Sequence, residues 1–112
     1  MRRVDKLNIV VMLPPDLAES LRGLGSSVKQ SMLDQLASAL ESGDVKPEEL
    51  PDDPLRCARG SRPKTVTLRA SRDSYQVFRS HAERMGVSVS QLIRRLVAWY
   101  MGYECRGAAR EE

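Results

Sequence analysis

Residues 64–69 of the chain are Lys-Thr-Val-Thr-Leu-Arg, a stretch in which polar and apolar side chains alternate. Successive side chains of a β-strand point to opposite faces of a sheet, so this alternation is typical of a strand with one buried and one exposed face. The pattern predicts a short half-buried strand. Such a strand needs a partner strand and a covering layer to be stable.

Two amphipathic helices are predicted directly after this strand. Ser71 is placed to cap the first helix and Gly86 to end it. Ser88 and Gln91 form a capping box at the start of the second helix. Apolar residues recur at helical spacing in both segments and are expected to face the core. They are Tyr75, Phe78, Ala82, Met85, Val89, Leu92, Ile93, Leu96, Val97 and Tyr100. We expect Trp99, like Tyr100, to pack in the core or between units.

The N-terminal half repeats this order of elements. Residues 7–13 form a β-branched apolar run that ends at two prolines, which predicts a strand followed by a helix with Pro15 in its first turn. Ser27 and Gln30 predict a second capping box, and Gly43 predicts the end of the helix that follows. The predicted core face of these two helices consists of Leu17, Leu21, Leu24, Val28, Met32, Leu36 and either Ala39 or Leu40.

The two halves are interpreted as a diverged internal repeat. Residues 25–30 match residues 86–91 at four of six positions. The first helix of the N-terminal copy is shorter by about six residues.

The predicted organisation has four parts. An N-terminal unit covers residues 1–42, a Pro-rich charged linker residues 43–63, a C-terminal unit residues 64–103, and a tail residues 104–112.

Charge is distributed unevenly along the chain. Residues 1–50 carry a net charge of −2 and residues 51–112 a net charge of +5. Between Arg56 and Arg95 there are ten basic residues and only two acidic ones. A basic excess of this kind attracts a polyanion such as nucleic acid, although a merely solvated basic face remains the alternative.

Several classes of protein are excluded or disfavoured. At 112 residues the chain holds one small domain or two very small units. No apolar run approaches the ~20 residues of a membrane span, and no apolar segment of a secretory signal follows the N-terminus, so we expect a cytoplasmic protein. The chain has no glycine-rich phosphate loop, nucleophile motif or metal-ligand cluster, so we expect no enzyme, cofactor or metal site. Cys57 and Cys105 are predicted to be free thiols in a reducing cytoplasm, and a disulfide between them, which would need an oxidising compartment, is the alternative.

Residues 64–102 resemble the ribbon-helix-helix DNA-binding family of the Arc and MetJ type. The resemblance rests on the strand at 65–69, the turn and helix start at 86–94, and the order and spacing of the elements. Residues 7–42 are a weaker match with a shortened first helix. Because units of this family pair their strands, the resemblance implies a mainly α fold with a two-stranded antiparallel β-ribbon.

Two arrangements of such units are open. In the preferred one, the chain is a tandem ribbon-helix-helix pseudo-dimer in which residues 7–13 pair with residues 64–70, a span that the linker can bridge. In the alternative, the C-terminal unit forms a homodimer and residues 1–50 bind a partner protein. The chain is thus predicted to be either a monomeric pseudo-dimer or a homodimer.

Candidate base-reading residues lie on the outer faces of the two strands. Strand alternation places three residues of each strand on the outer face. They are Thr65, Thr67 and Arg69 in one strand and Asn8, Val10 and Met12 in the other. The resemblance implies that the first three read bases in the major groove of double-stranded DNA. Asn8 suits an adenine, whereas Val10 and Met12 offer only apolar contact, to a thymine methyl or to protein. Thr65 and Thr67 also suit an ordinary solvent-facing strand.

Candidate phosphate anchors lie at the starts of the second helices. The resemblance implies that residues at these helix starts contact DNA phosphates. Free backbone N–H groups and the helix dipole favour an anion at such a position. The residues concerned are Ser88, Val89, Ser27 and Val28, with Lys64, Arg72 and Arg94 as further candidates. Plain N-capping is the alternative role for the two serines, and a structural salt bridge is the alternative for Arg94 or Arg95.

These observations predict a sequence-specific DNA-binding protein. The resemblance implies a transcriptional regulator such as a repressor, or an accessory protein of plasmid maintenance, conjugation or T-DNA transfer, where tandem versions of the fold occur. In the pseudo-dimer arrangement the DNA site is expected to be asymmetric. The alternative function is an antitoxin-like or scaffold module for protein interaction.

Overall fold

The computed structural model describes residues 6–50, 53–57 and 62–103. The first half contains β1 (Lys6–Leu13), α1 (Pro15–Arg22) and α2 (Ser26–Ser42), and a 3-10 turn (Pro47–Glu49) and the short helix α3 (Pro54–Cys57) follow. The second half contains β2 (Lys64–Ser71), α4 (Arg72–Met85) and α5 (Val89–Met101). The fold is mainly helical with one two-stranded antiparallel sheet, as predicted.

The two strands pair with each other within the one chain. Leu7 lies opposite Ala70 and Leu13 lies opposite Lys64, which confirms the predicted pairing of residues 7–13 with residues 64–70. The helices cover one face of this two-stranded ribbon. The side chains on the covered face are all buried, at 5 % exposure or less: Ile9, Val11, Leu13, Val66, Leu68 and Ala70. Burial of this apolar face stabilises a ribbon that would be marginal alone.

Both halves contribute to a single core. Leu17 and Leu21 of α1 and Phe78 of α4 belong to the same buried cluster as the inner face of the ribbon. The α2 helix packs against α4 and β2, and α5 packs against β1. The second helix of each half therefore contacts the strand of the other half: α2 contacts β2, and α5 contacts β1.

The predicted helix boundaries hold at most termini. The Ser71 Oγ accepts from the Ser74 N–H and the Ser88 Oγ accepts from the Gln91 N–H, so both serines cap their helices as predicted. Gly43 and Gly86 end α2 and α4 in the left-handed region, at φ values of 88° and 74°, where glycine is favoured. The α1 helix has eight residues and α4 has fourteen, which matches the predicted difference in length.

The predicted capping box at Ser27 is wrong. The α2 helix begins at Ser26 with Gly25 as N-cap, and no side chain caps it. Ser27 therefore lies inside the first turn, and Val28 is 51 % exposed instead of facing the core. The buried face of α2 begins one turn later and consists of Met32, Leu33, Leu36, Ala37 and Leu40.

Trp99 and Tyr100, which were predicted to pack in the core or between units, lie outside the core. The buried face of α5 is made by Leu92, Ile93, Leu96, Val97 and Ala98. The next two residues turn outward, so Trp99 and Tyr100 are 47 % and 45 % exposed.

Part of the predicted linker is attached to the core. Val45 and Leu50 are buried, and the Arg95 Nη2 donates to the Leu50 carbonyl oxygen at 3.1 Å. The predicted tail at residues 104–112, including Cys105, lies outside the described residues, as does the side chain of Cys57. In the ranges that the structure describes, every helix is too short or too polar to cross a membrane.

Candidate nucleic-acid interface

The uncovered face of the ribbon brings together all six predicted base-reading residues. The strand register pairs Asn8 with Arg69, Val10 with Thr67 and Met12 with Thr65, and all six side chains are exposed. Only one of the six is charged, and that charge is positive. The face is therefore a short row of three cross-strand pairs without a carboxylate.

The dimensions of this row suit a nucleic-acid groove. The first and last pairs are four residue positions apart along each strand, which corresponds to roughly 13 Å at the usual rise of a strand. A two-stranded ribbon of this kind fits the major groove of B-form DNA, which is about 12 Å wide.

The start of α2 lies beside one end of this row. A surface cleft there is lined by Asn8, Thr67, Leu68 and Arg69 of the ribbon and by Ser26, Ser27, Lys29 and Gln30 of the helix. Gly25 provides no side-chain cap, so the first N–H groups of α2 have no capping oxygen. Uncapped N–H groups together with a lysine and an arginine favour an anion in this cleft.

The start of α5 lies against the other strand. The Ser90 Oγ donates to the Val10 carbonyl oxygen at 2.8 Å, and the Arg94 Nη1 donates to the Met12 carbonyl oxygen at 3.3 Å. Ser88 caps this helix, and Val89 is its first residue. The two predicted phosphate anchors therefore differ: the α5 start is capped and hydrogen-bonded to β1, whereas the α2 start is uncapped.

Arg94 is held in an ion pair with Asp53. Its Nε donates to Asp53 Oδ1 at 2.7 Å and its Nη2 to Oδ2 at 2.6 Å, and the two side chains are only 11 % and 12 % exposed. Burial alone would raise the pKa of Asp53, but hydrogen bonds from Arg94 and the Leu55 N–H and the Arg94 charge outweigh it, so the pKa is lowered. Arg94 therefore has the structural salt-bridge role that was considered for Arg94 or Arg95.

The remaining predicted phosphate contacts lie at the ends of β2. Lys64 is exposed at the first position of β2, opposite Leu13, and Arg72 is exposed at the first position of α4. Sequence reasoning missed Lys29, which lines the cleft at the start of α2. The turn pattern drew attention to Ser27, which is only two residues before Lys29. The approach of Lys29 to Arg69 could not be predicted in this way, because it depends on the packing of α2 against β2.

Comparisons with protein-family models, with curated proteins and with solved structures find no match to this chain.

Proposed function

We propose that this protein binds double-stranded DNA sequence-specifically, with the exposed face of its β-ribbon in the major groove. The observation that carries the proposal is the row of three exposed cross-strand pairs, beside which lies the uncapped start of α2. In this proposal the chain is a tandem ribbon-helix-helix pseudo-dimer. Its role is that of a transcriptional regulator, or of an accessory protein of plasmid or DNA transfer.

The outer side chains have the chemistry that base reading requires. Arg69 can donate two hydrogen bonds to the O6 and N7 atoms of guanine, and Asn8 can pair in the same way with adenine. Val10 and Met12 can contact only apolar groups, of which the thymine methyl is the one in the major groove. Thr65 and Thr67 offer both a hydroxyl and a methyl group.

Phosphate contacts on the flanks would orient the ribbon in the groove. The α2 start, with Ser27, Val28 and Lys29, supplies one anchor, and the α5 start, with Ser88 and Val89, supplies the other. Lys64 and Arg72 add positive charge at the two ends of β2. Arg94 is assigned a structural role instead, because both of its bonds to Asp53 would have to break before it could reach a phosphate.

A protein-interaction module is the second candidate, and the exposure of Val10 and Met12 favours it. These apolar side chains are 54 % and 45 % exposed at neighbouring outward positions of β1. In the version with a separate partner-binding region, however, residues 1–50 would stand apart from the C-terminal unit. The described part of that region, residues 6–50, instead shares its strand pairing and core with residues 62–103.

The test is selection from a random duplex pool at several salt concentrations, with the molecular mass measured in the same buffer. We expect enrichment of a defined motif by a monomer. Arg69→Ala should weaken binding to that motif by about 1–3 kcal/mol and relax the preference at one base pair. Lys64→Ala should weaken binding to all sequences and lower the slope of log K against log salt by about 1.

Arg84→Ala is the matched control, because it removes one exposed arginine from the last turn of α4. That position lies roughly 18 Å along the helix from Arg72. The control should leave both the motif preference and the salt slope nearly unchanged. Failure to retain any duplex at low salt would contradict the proposed function and favour the protein-interaction module.

A further inference from the structure

The two ends of the ribbon's exposed face differ in chemistry. At one end Asn8 lies opposite Arg69, beside the cleft that Lys29 also lines. At the other end Met12 lies opposite Thr65, beside the α5 helix that Ser90 and Arg94 bond to β1. One end therefore presents an amide, a guanidinium and an ammonium group, and the other presents a thioether and a hydroxyl.

Because the two paired strands belong to one chain, each end of the exposed face occurs only once in the molecule. If two identical strands paired about a two-fold axis, every outward residue would occur in both halves of the face. Here β1 and β2 have different sequences, so Arg69 occurs only at the Asn8 end and Met12 only at the Thr65 end. The middle pair, Val10 and Thr67, joins an apolar to a polar residue.

We infer that the protein reads a non-palindromic DNA site in one orientation, with a purine-reading half under Asn8 and Arg69 and a thymine-methyl-reading half under Val10 and Met12. The inference rests on the proposed function and adds that the two kinds of base contact are confined to opposite halves of the site. In the purine half the contacts are hydrogen bonds to N7, O6 and N6 atoms. In the other half the contacts made by Val10 and Met12 are apolar, so they depend on the C5 methyl group that distinguishes thymine from uracil.

Base analogues placed in one half of the selected site test this assignment on the full-length protein. In the purine half, 7-deazaguanine removes one of the two acceptors for Arg69 and should weaken binding roughly ten-fold. In the other half, uracil in place of thymine removes one methyl group and should weaken binding roughly four-fold. As the control, each analogue is placed in the opposite half of the site, where it should change the affinity less than two-fold.

Two variants link each effect to a side chain. In Arg69→Ala the 7-deazaguanine effect should disappear while the uracil effect remains, and in Met12→Ala the reverse should hold. Both residues are exposed, so circular dichroism of the variants should match that of the wild type. Loss of both effects in either variant would contradict the assignment of one chemistry to each half.

The outcomes separate this inference from the proposed function. Enrichment of a palindrome, or relaxed preference in both halves for Arg69→Ala, would overturn the single-orientation inference while leaving DNA binding in place. Failure to enrich any duplex sequence would overturn the proposed function itself. Enrichment of an asymmetric motif with half-specific analogue effects is the expected result.

Discussion

Asp53 and Arg94 connect the segment between the two halves to α5. The pair uses both carboxylate oxygens, and Arg94 also bonds the Met12 carbonyl oxygen of β1. One guanidinium group therefore holds three parts of the chain together. Charge-assisted bonds of this geometry are among the stronger polar interactions, and removing one partner leaves the other charge poorly solvated.

Arg94→Ala is expected to lower the free energy of unfolding by about 2–3 kcal/mol. Urea denaturation at neutral pH measures the change. Arg79→Ala is the control, because it breaks the Arg79–Glu83 pair, whose side chains are 56 % and 68 % exposed. Exposed pairs within a helix contribute about 0.3–0.5 kcal/mol, so equal losses in the two variants would contradict the role assigned to Arg94.

The lowered pKa of Asp53 predicts a pH-dependent contribution to stability. Because the carboxylate is favoured in the folded state, its contribution is present above the unfolded-state pKa of about 4. The contribution is lost as the pH falls through the lower pKa of the folded state. The stability difference between the wild type and Asp53→Asn should therefore be largest near neutral pH and shrink on acidification towards pH 3. A difference that stays constant over this range would show that ionisation of Asp53 does not contribute.

At the scale of elements, the start of α2 is the part that local sequence describes least well. The alternation in β2, the apolar run of β1 and the glycine positions were enough to predict both strands and most helix ends. At residues 25–27, however, Gly-Ser-Ser offers several adjacent N-cap positions, and the helix uses the first of them. The sequence did not identify Asp53 as the partner of Arg94, because the two residues are 41 positions apart in the chain.

Gly25→Ser should stabilise α2. Gly25 has extended backbone angles, with φ −70° and ψ 162°, and an added Cβ would meet nothing within 4 Å. A serine there can cap the helix and also restricts the unfolded chain, so we expect a gain of about 0.5–1 kcal/mol in the free energy of unfolding. Ser88→Ala, which removes an existing cap from α5, should cost about 1 kcal/mol in the same thermal or urea measurement. A loss of stability in Gly25→Ser would mean that the start of α2 is constrained by contacts other than capping.

At the scale of the whole molecule, the two halves share one strand pairing and one buried core. Each half supplies one strand, and neither strand has another partner among the described residues. The inner faces of both strands lie in the same buried cluster as the helices of both halves. A repeat of two independent units would instead bury two separate cores. The repeated order of elements was visible in the sequence, but it is equally compatible with two units that pair only between chains. The single core that contains residues of both halves distinguishes this structure from two units with separate cores.

Trp99, the only tryptophan, lies in the C-terminal half and reports on this coupling. Leu13→Ala, in the N-terminal strand, removes a fully buried side chain and should cost about 2–4 kcal/mol. Because the core is shared, the urea midpoint measured by Trp99 fluorescence should fall as far as the midpoint measured by circular dichroism, with an unchanged m value. Leu68→Ala, in the C-terminal strand, should behave in the same way. If Leu13→Ala lowered only the circular-dichroism midpoint and left the fluorescence midpoint unchanged, the halves would unfold independently. In that case a ribbon shared within one chain could not be the stable platform for DNA binding.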